Sequence, residues 1–291
     1  MTEETVERGE VVWTPPADVL ERTRVGAFLA WVREHRGLDM TTHEQLWRWS
    51  VTDLDGFWSA VWDFFGVRAS YDGVLADRSM PGARWFPGTR LNYAEHALLG
   101  DDEQVAILGR SQTRPDVELT WGELRDRVAR LRTRLRELGV GPGDRVVGYL
   151  PNVPETVVAF LATASLGAVW ASCACEFGPR SVVDRFAQVE PVVLLVAGGY
   201  SYGDKPIDRR PQVAEIRAAL PSVRHVIDIE YGDWRVDDAL SWSTLLAEPA
   251  AEPLAFEPVP FDHPLLVLFS SGTTGQPKAI VHATAASSSS T

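Results

Sequence analysis

The sequence predicts an α/β protein with a largely parallel sheet, preceded by a tryptophan-rich helical region. Three features predict it. From about residue 101 short apolar runs alternate with amphipathic stretches and turn signals, the pattern of strands joined through helices. The first hundred residues lack that alternation and hold seven of the eleven tryptophans. The chain is 291 residues long, 45% apolar and 23% charged, enough for a sizeable core and about two domains. The partition expected is a helical, tryptophan-rich region over 1–100, the α/β region over 101–282 and a low-complexity tail over 283–291.

Composition narrows the function classes. Forty acidic against 28 basic residues give a net charge of −12, which disfavours nucleic acid or an anionic membrane as partner. Two cysteines, Cys173 and Cys175, are too few for a disulfide scaffold or a four-ligand zinc site. The start, MTEETVERGE, is too charged for a signal peptide, so the expectation is a cytoplasmic enzyme. Thr156–Cys175 is a run of twenty residues without a charge, long enough to span a bilayer. Gly167 splits it and Glu155 and Glu176 flank it, so a buried helix over 154–166 and a buried strand over 168–172 are expected instead. Only two lysines occur, Lys205 and Lys278, the other basic residues being arginine. Lysine offers a compact point charge where arginine offers a planar fork, which marks these two positions for inspection.

The elements follow in order. Over 46–65, Trp58, Val61, Trp62 and Phe65 recur at helical spacing, with Asp53 or Asp55 as N-cap. Residues 81–93 form a connector punctuated by Pro and Gly. Val105–Gly109 is a strand, and Thr120 with Glu123 is a capping box. Leu124, Val128, Leu131, Leu135 and Leu138 make one apolar helix face, closed by Gly139 at C′. The opposite face, with Arg125, Arg127, Arg130, Arg132, Arg134 and Arg136, is expected to be solvated. Strands over 146–150, 192–197, 225–229 and 265–269 and helices over 180–189 and 212–220 complete the alternation, with a Pro-rich linker over 249–260.

Four motifs bear on chemistry. Gly139-Val-Gly141-Pro-Gly143 follows a helix and enters a strand, the reverse of a dinucleotide loop, and reads as a turn. Cys173 and Cys175, one residue apart at a strand end, are expected on one face and structural. Gly199-Tyr-Ser201-Tyr-Gly203 matches the G-x-S-x-G nucleophile elbow, which needs a helix directly after the serine. Gly203, Asp204 and Pro206 follow instead, so a serine hydrolase at Ser201, paired with His225, His263 or His282, is a rival reading only. Between two apolar strands lies Ser270-Ser271-Gly272-Thr273-Thr274-Gly275-Gln276-Pro277-Lys278. Its glycines let backbone N–H groups approach an anion, its hydroxyls donate to oxygens, and Lys278 adds positive charge. Walker A spacing is absent. This is read as a phosphate loop.

At this loop the chain resembles the adenylate-forming acyl-CoA synthetases, whose signature is a Ser/Thr/Gly loop ending in Pro-Lys. Residues 119–186 resemble the first part of that family's large domain, and 46–65 its N-terminal cap in the acetyl- and acetoacetyl-CoA synthetase branch. Residues 81–96, PGARWFPGTRLNYAEH, are more similar to the acetoacetyl-CoA branch. The resemblance covers about residues 40–282. It implies the partial large domain of the adenylate-forming fold behind a helical cap. It also implies a ligase using ATP, Mg²⁺ and coenzyme A on acetoacetate, or on acetate or another short-chain acid. A carboxylate attacks the α-phosphate of ATP to give an acyl-adenylate, and the coenzyme A thiol then displaces AMP. By the same resemblance Ser270, Ser271, Gly272, Thr273, Thr274 and Gly275 cradle the β- and γ-phosphates and Lys278 neutralises pyrophosphate charge. Acetyl-CoA synthetases carry coenzyme A-contacting arginines where this chain has Ser201 and Lys205, which makes Lys205 the candidate for a coenzyme A phosphate.

Family members are about twice as long, with a ribose-binding aspartate, a hinge and a C-terminal catalytic lysine after the loop. The expectation is therefore a truncated or frame-shifted product, without a complete catalytic set. Such a chain would be inactive alone or a non-catalytic fragment kept for binding, with apolar surface exposed beside the loop.

Overall fold

A computed structural model describes residues 9–270 and 275–284 of the chain. Within them the chain divides into two compact units. One runs up to Val67 and includes Tyr71–Pro87; the other comprises Arg68–Ser70 and the chain from Gly88 onward.

The first unit holds α1 (Val19–Arg22), α2 (Arg24–Arg36), α3 (His43–Thr52) and α4 (Leu54–Phe64), then the short antiparallel pair β1 (Leu75–Asp77) and β2 (Arg84–Trp85). Asp53 is the N-cap of α4, its carboxylate accepting from the Gly56 amide. Phe28, Val32 and Ala60 are buried at the centre. Phe28 meets Phe57 and Phe64 edge-on at 6.1 and 5.1 Å. Of the four residues expected at helical spacing, Val61 packs against this cluster and Trp62 is buried, whereas Phe65, at the C-cap of α4, is exposed. Trp62 is buried against Phe86, ring centroids 4.5 Å apart.

The second unit begins with β3 (Arg90–Leu91) and α5 (Tyr93–Ala97). Then come β4 (Val105–Gly109), β5 (Val117–Thr120), α6 (Trp121–Glu137), β6 (Arg145–Tyr149), α7 (Pro154–Ser165) and β7 (Val169–Cys173). α8 (Pro179–Phe186), β8 (Val193–Val196), β9 (Gly199–Tyr202), β10 (Lys205–Asp208), α9 (Arg210–Ala218) and β11 (His225–Asp228) follow. β12 (Leu240–Ser241), α10 (Trp242–Leu245), β13 (Val259–Pro260), β14 (Pro264–Ser270) and β15 (Lys278–Ala283) end the described chain.

Its main sheet has the order β12-β11-β8-β6-β7-β14-β15, parallel throughout except for the edge strand β15, which runs antiparallel to β14. Over the central strands β11, β8, β6 and β7 both faces are covered, which is why these strands read as continuous apolar runs. The period-2 alternation divides each strand. Val146, Trp170, Leu195 and Ile227 join one cluster with α6 and α7, and Val147, Ala171, Leu194 and Val226 join the other with α8 and α9. The uncharged run becomes α7 and β7, with Gly167 at φ +67° between them, a conformation that glycine adopts without strain. Among the described residues no helix is long and apolar enough to cross a membrane.

The expected strand over 105–109 exists but lies outside the main sheet, in the separate hairpin β4–β5. The capping box at Thr120 and Glu123 is present, and Gly139 at φ +81° closes the helix. The arginine face of α6 corrects the expectation of solvation. Arg132 is buried, Arg130 donates to the Leu246 carbonyl and Arg134 to that of Leu245, both at 3.1 Å, and Arg136 pairs with Glu252 at 3.0 Å. Arg130 and Arg134 hold the returning chain by its backbone carbonyls, and the long arginine stems supply packing, while the Arg136–Glu252 pair stays exposed.

Candidate nucleotide and thiol site

Parallel pairing sets the geometry. It places the carboxyl ends of β6 (Tyr149), β7 (Cys173), β8 (Val196) and β14 (Ser270) on one edge of the sheet. β7 and β8 flank β6 on opposite sides, so the strand order reverses there, and open α/β sheets bind ligands at the carboxyl ends beside such a reversal. Two segments leave from this edge. One is the loop after Ser270; the other is the hairpin β9–β10 that follows β8. Three strand spacings separate β8 from β14, about 14 Å.

Of the predicted phosphate-loop residues, the structure describes Ser270, Gly275 and Lys278; Ser271, Gly272, Thr273 and Thr274 lie outside the described residues. Ser270 and Lys278 pair across β14–β15, so the strands bring the two ends of the loop side by side. Gly275, at φ +138°, takes a backbone conformation that side-chain-bearing residues rarely adopt. Gln188 Nε2 donates to the Pro277 carbonyl at 2.9 Å and ties the return strand to the chain just after α8. Pro277 also lines a cleft of about 540 Å³ with Arg180, Ser181, Asp184, Arg185 and Glu215. Leu268, Ile280 and Val281 of β14 and β15 are all more than 40% exposed.

Lys205 is exposed at the start of β10, directly across from Tyr202, whose ring is also exposed. Arg209, two residues beyond Ile207, donates to the Tyr200 hydroxyl at 3.1 Å and lies 5.6 Å from that ring. The same region overturns the nucleophile elbow. Ser201 sits mid-strand opposite Pro206, and the next helix begins only at Arg210. A strand continuing into a hairpin does not force the serine Oγ into the open, so the hydrolase reading lacks its structural basis.

Tyr149 is a residue that sequence reasoning missed. It is buried, and its hydroxyl is shared by the carbonyls of Cys175 (2.7 Å) and Phe177 (2.9 Å), holding the segment that leaves β7. Burial pushes its phenol up to about 12. The only signal in the sequence was a tyrosine near the end of a strand that also carries Val146 and Val147.

The cysteines are structural, but not on one face. Cys173 packs with the α8–α9 cluster and Cys175 with the α7 cluster, because β7 ends at Cys173 and the alternation ends with it. Burial pushes both thiols up to about 12. Neither is expected to react with iodoacetamide at pH 8 in the folded chain, since the thiolate is the nucleophile. Both should react once urea unfolds it, as mass spectrometry of the alkylated protein would record. The unfolded thiols ionise near 9 and the folded ones near 12, so stability is lost as pH rises between those values. Among the described residues no group of three or more His, Cys, Asp or Glu could hold a metal ion.

Residues 95–291 match the family described as AMP-binding enzyme, and residues 43–97 match the acetyl-coenzyme A synthetase N-terminus. The chain is 39% identical over 282 residues to the acetoacetyl-coenzyme A synthetase of Rhizobium meliloti, covering 93% of this chain and 43% of that protein. It is 35% identical to a malonamoyl-CoA synthetase of Penicillium aethiopicum, covering 94% of this chain and 40% of that one. The solved structure of the acetoacetyl-CoA synthetase from Streptomyces lividans superposes with a TM-score of 0.89 at 53% identity, over 94% of this chain and 43% of that one. The chain thus spans less than half the length of these relatives. With both family models matched in chain order and the carboxyl-edge geometry in place, the chain belongs to the AMP-binding enzyme family, where it resembles the N-terminal part of acetoacetyl-CoA synthetases.

Proposed function

We propose that the chain carries the ATP-phosphate and coenzyme A contacts of an acid–thiol ligase that converts acetoacetate to acetoacetyl-CoA. The observation that carries this reading is the carboxyl edge, where the loop from Ser270 to Lys278 and the hairpin bearing Lys205 leave the same side of one sheet. The acetoacetate carboxylate attacks the α-phosphorus of ATP, forming the acyl-adenylate as pyrophosphate leaves. The thiol of coenzyme A then attacks the acyl carbon, and AMP departs with the bonding electrons.

In this scheme the amides and hydroxyls of Ser270, Ser271, Gly272, Thr273, Thr274 and Gly275 hold the β- and γ-phosphates. Lys278 stabilises the charge that develops on pyrophosphate, a preorganised electrostatic contribution. Lys205 holds a coenzyme A phosphate. By the resemblance Mg²⁺ would come with the nucleotide, held by its phosphates, and no step is routed through it. The relatives named for acetoacetyl-CoA and malonamoyl-CoA support an acid with a carbonyl β to its carboxylate as the substrate class.

Titration calorimetry tests the assignment. Lys278→Ala is expected to raise the Kd for ATP about tenfold, equivalent to about 1.4 kcal/mol, and to leave coenzyme A affinity unchanged. Lys205→Ala should do the opposite. Unaltered ATP binding in Lys278→Ala would remove the phosphate-loop assignment, and unaltered coenzyme A binding in Lys205→Ala would remove the other.

A further inference from the structure

A hairpin of two four-residue strands is marginal in water by itself, and β9–β10 pairs with no third strand among the described residues. Tyr200 packs against the core, but toward the tip apolar support ends, since Tyr202, Lys205 and Pro206 are exposed. At its root Trp234 covers Gly198 and Gly199 so closely that a Cβ on either would fall 2.4–2.5 Å from tryptophan atoms. At its tip the support comes from elsewhere, the turn of β4–β5 at residues 110–116.

Two side chains of that turn reach the hairpin's backbone. Thr113 Oγ1 accepts from the Ser201 amide at 2.9 Å, and Gln112 Oε1 accepts from the Gly203 amide at 3.0 Å. The turn is itself anchored. Arg114 forms a bidentate pair with buried Glu155 at 2.9 and 2.6 Å, its guanidinium 5.1 Å from the Tyr231 ring centroid. Ser111 Oγ shares a 2.5 Å hydrogen bond with the Tyr231 hydroxyl and accepts from the Thr113 amide. These anchors sit on the N-terminal turn of α7 and just beyond β11, both part of the packed sheet layers.

The geometry points to the 110–116 turn as a strap that positions the β9–β10 hairpin for coenzyme A, with Gln112 and Thr113 as positioning residues. This rests on the reading of Lys205 as a coenzyme A contact. Lys205 stands two residues from Gly203 across the tip, so the strap bonds fix the backbone that carries its ammonium. An exposed lysine held on a fixed backbone loses less freedom on meeting a phosphate than one on a fraying tip.

The test uses the 291-residue chain with Gln112→Ala and Thr113→Val combined, and Thr113→Ser, which keeps the acceptor oxygen. Amide exchange at Ser201 and Gly203 is followed together with coenzyme A and ATP titrations. The double variant is expected to exchange those two amides about tenfold faster and to raise the Kd for coenzyme A at least threefold, with ATP affinity unchanged. Thr113→Ser should restore protection at Ser201. Unchanged protection in the double variant overturns the strap. So does lost protection with intact coenzyme A affinity, in a protein where Lys205→Ala does weaken coenzyme A. If Lys205→Ala changes nothing, the coenzyme A reading fails, and the strap is then decided by amide protection alone.

Discussion

Replacing Arg114 by alanine is expected to destabilise the second unit by about 3 kcal/mol, the lower end of the cost of breaking a buried ion pair. Glu155 is 7% exposed, and both its oxygens are taken by the Arg114 guanidinium. Without that partner the carboxylate stays buried in the first turn of α7, where the helix N-terminus compensates it only in part. Arg114 is itself 22% exposed on its side chain, which lets water reach the vacated space and keeps the loss from the upper end of the range. Removing both partners tests the cause, because two apolar groups leave no charge behind. The urea midpoint of Arg114→Leu/Glu155→Leu should therefore lie closer to the wild type than that of Arg114→Ala. A loss below about 0.5 kcal/mol in Arg114→Ala, the level of an ordinary surface substitution, would show that the pair does not anchor the turn.

Phe186→Ala should cost about 3–5 kcal/mol, the range for emptying a buried phenylalanine site. Phe186 is fully buried at the end of α8 and packs into the cluster that holds the helix on the sheet with Val182, Val213 and Ile216. The site is walled by strands on one side and α9 on the other, so it cannot collapse to fill the void. Phe186→Leu keeps more of the volume and should cost about 1.5 kcal/mol or less. Denaturant unfolding of the two variants separates a packing role from any other. Equal losses would mean that cavity formation is not the cause. The consequence reaches the site, because Gln188, two residues after Phe186, holds the Pro277 carbonyl beside Lys278.

Much of the frame was legible because each parallel strand and its helix announce themselves locally. The apolar runs at 146–150, 192–197, 225–229 and 265–269 match strands within one or two residues, and Thr120 with Glu123 forms the cap its spacing predicts. The Ser270–Lys278 segment was readable as a loop between two apolar strands from its composition, and the antiparallel pairing that sets its two ends side by side was not. Polar side chains were less readable. An arginine at helical spacing carries no mark of whether it meets water or a backbone carbonyl, and on α6 the carbonyls belong to residues more than a hundred positions later. Likewise Ser201 had the spacing of an elbow, and only its pairing with Pro206 shows a hairpin.

The alternation of the main-sheet strands with their helices, and the apolar face of α6, therefore follow from residue periodicity and turn chemistry along the chain. Tertiary structure alone decided which strands are neighbours, that the loop and the Lys205 hairpin leave one edge, and that the two cysteines part to opposite cores. It also joined Arg114 to Glu155 and Thr113 to Ser201. The physical reason is range. Periodicity and capping act over a few residues, whereas pairing register and the satisfaction of buried polar groups depend on partners that only the folded chain brings together.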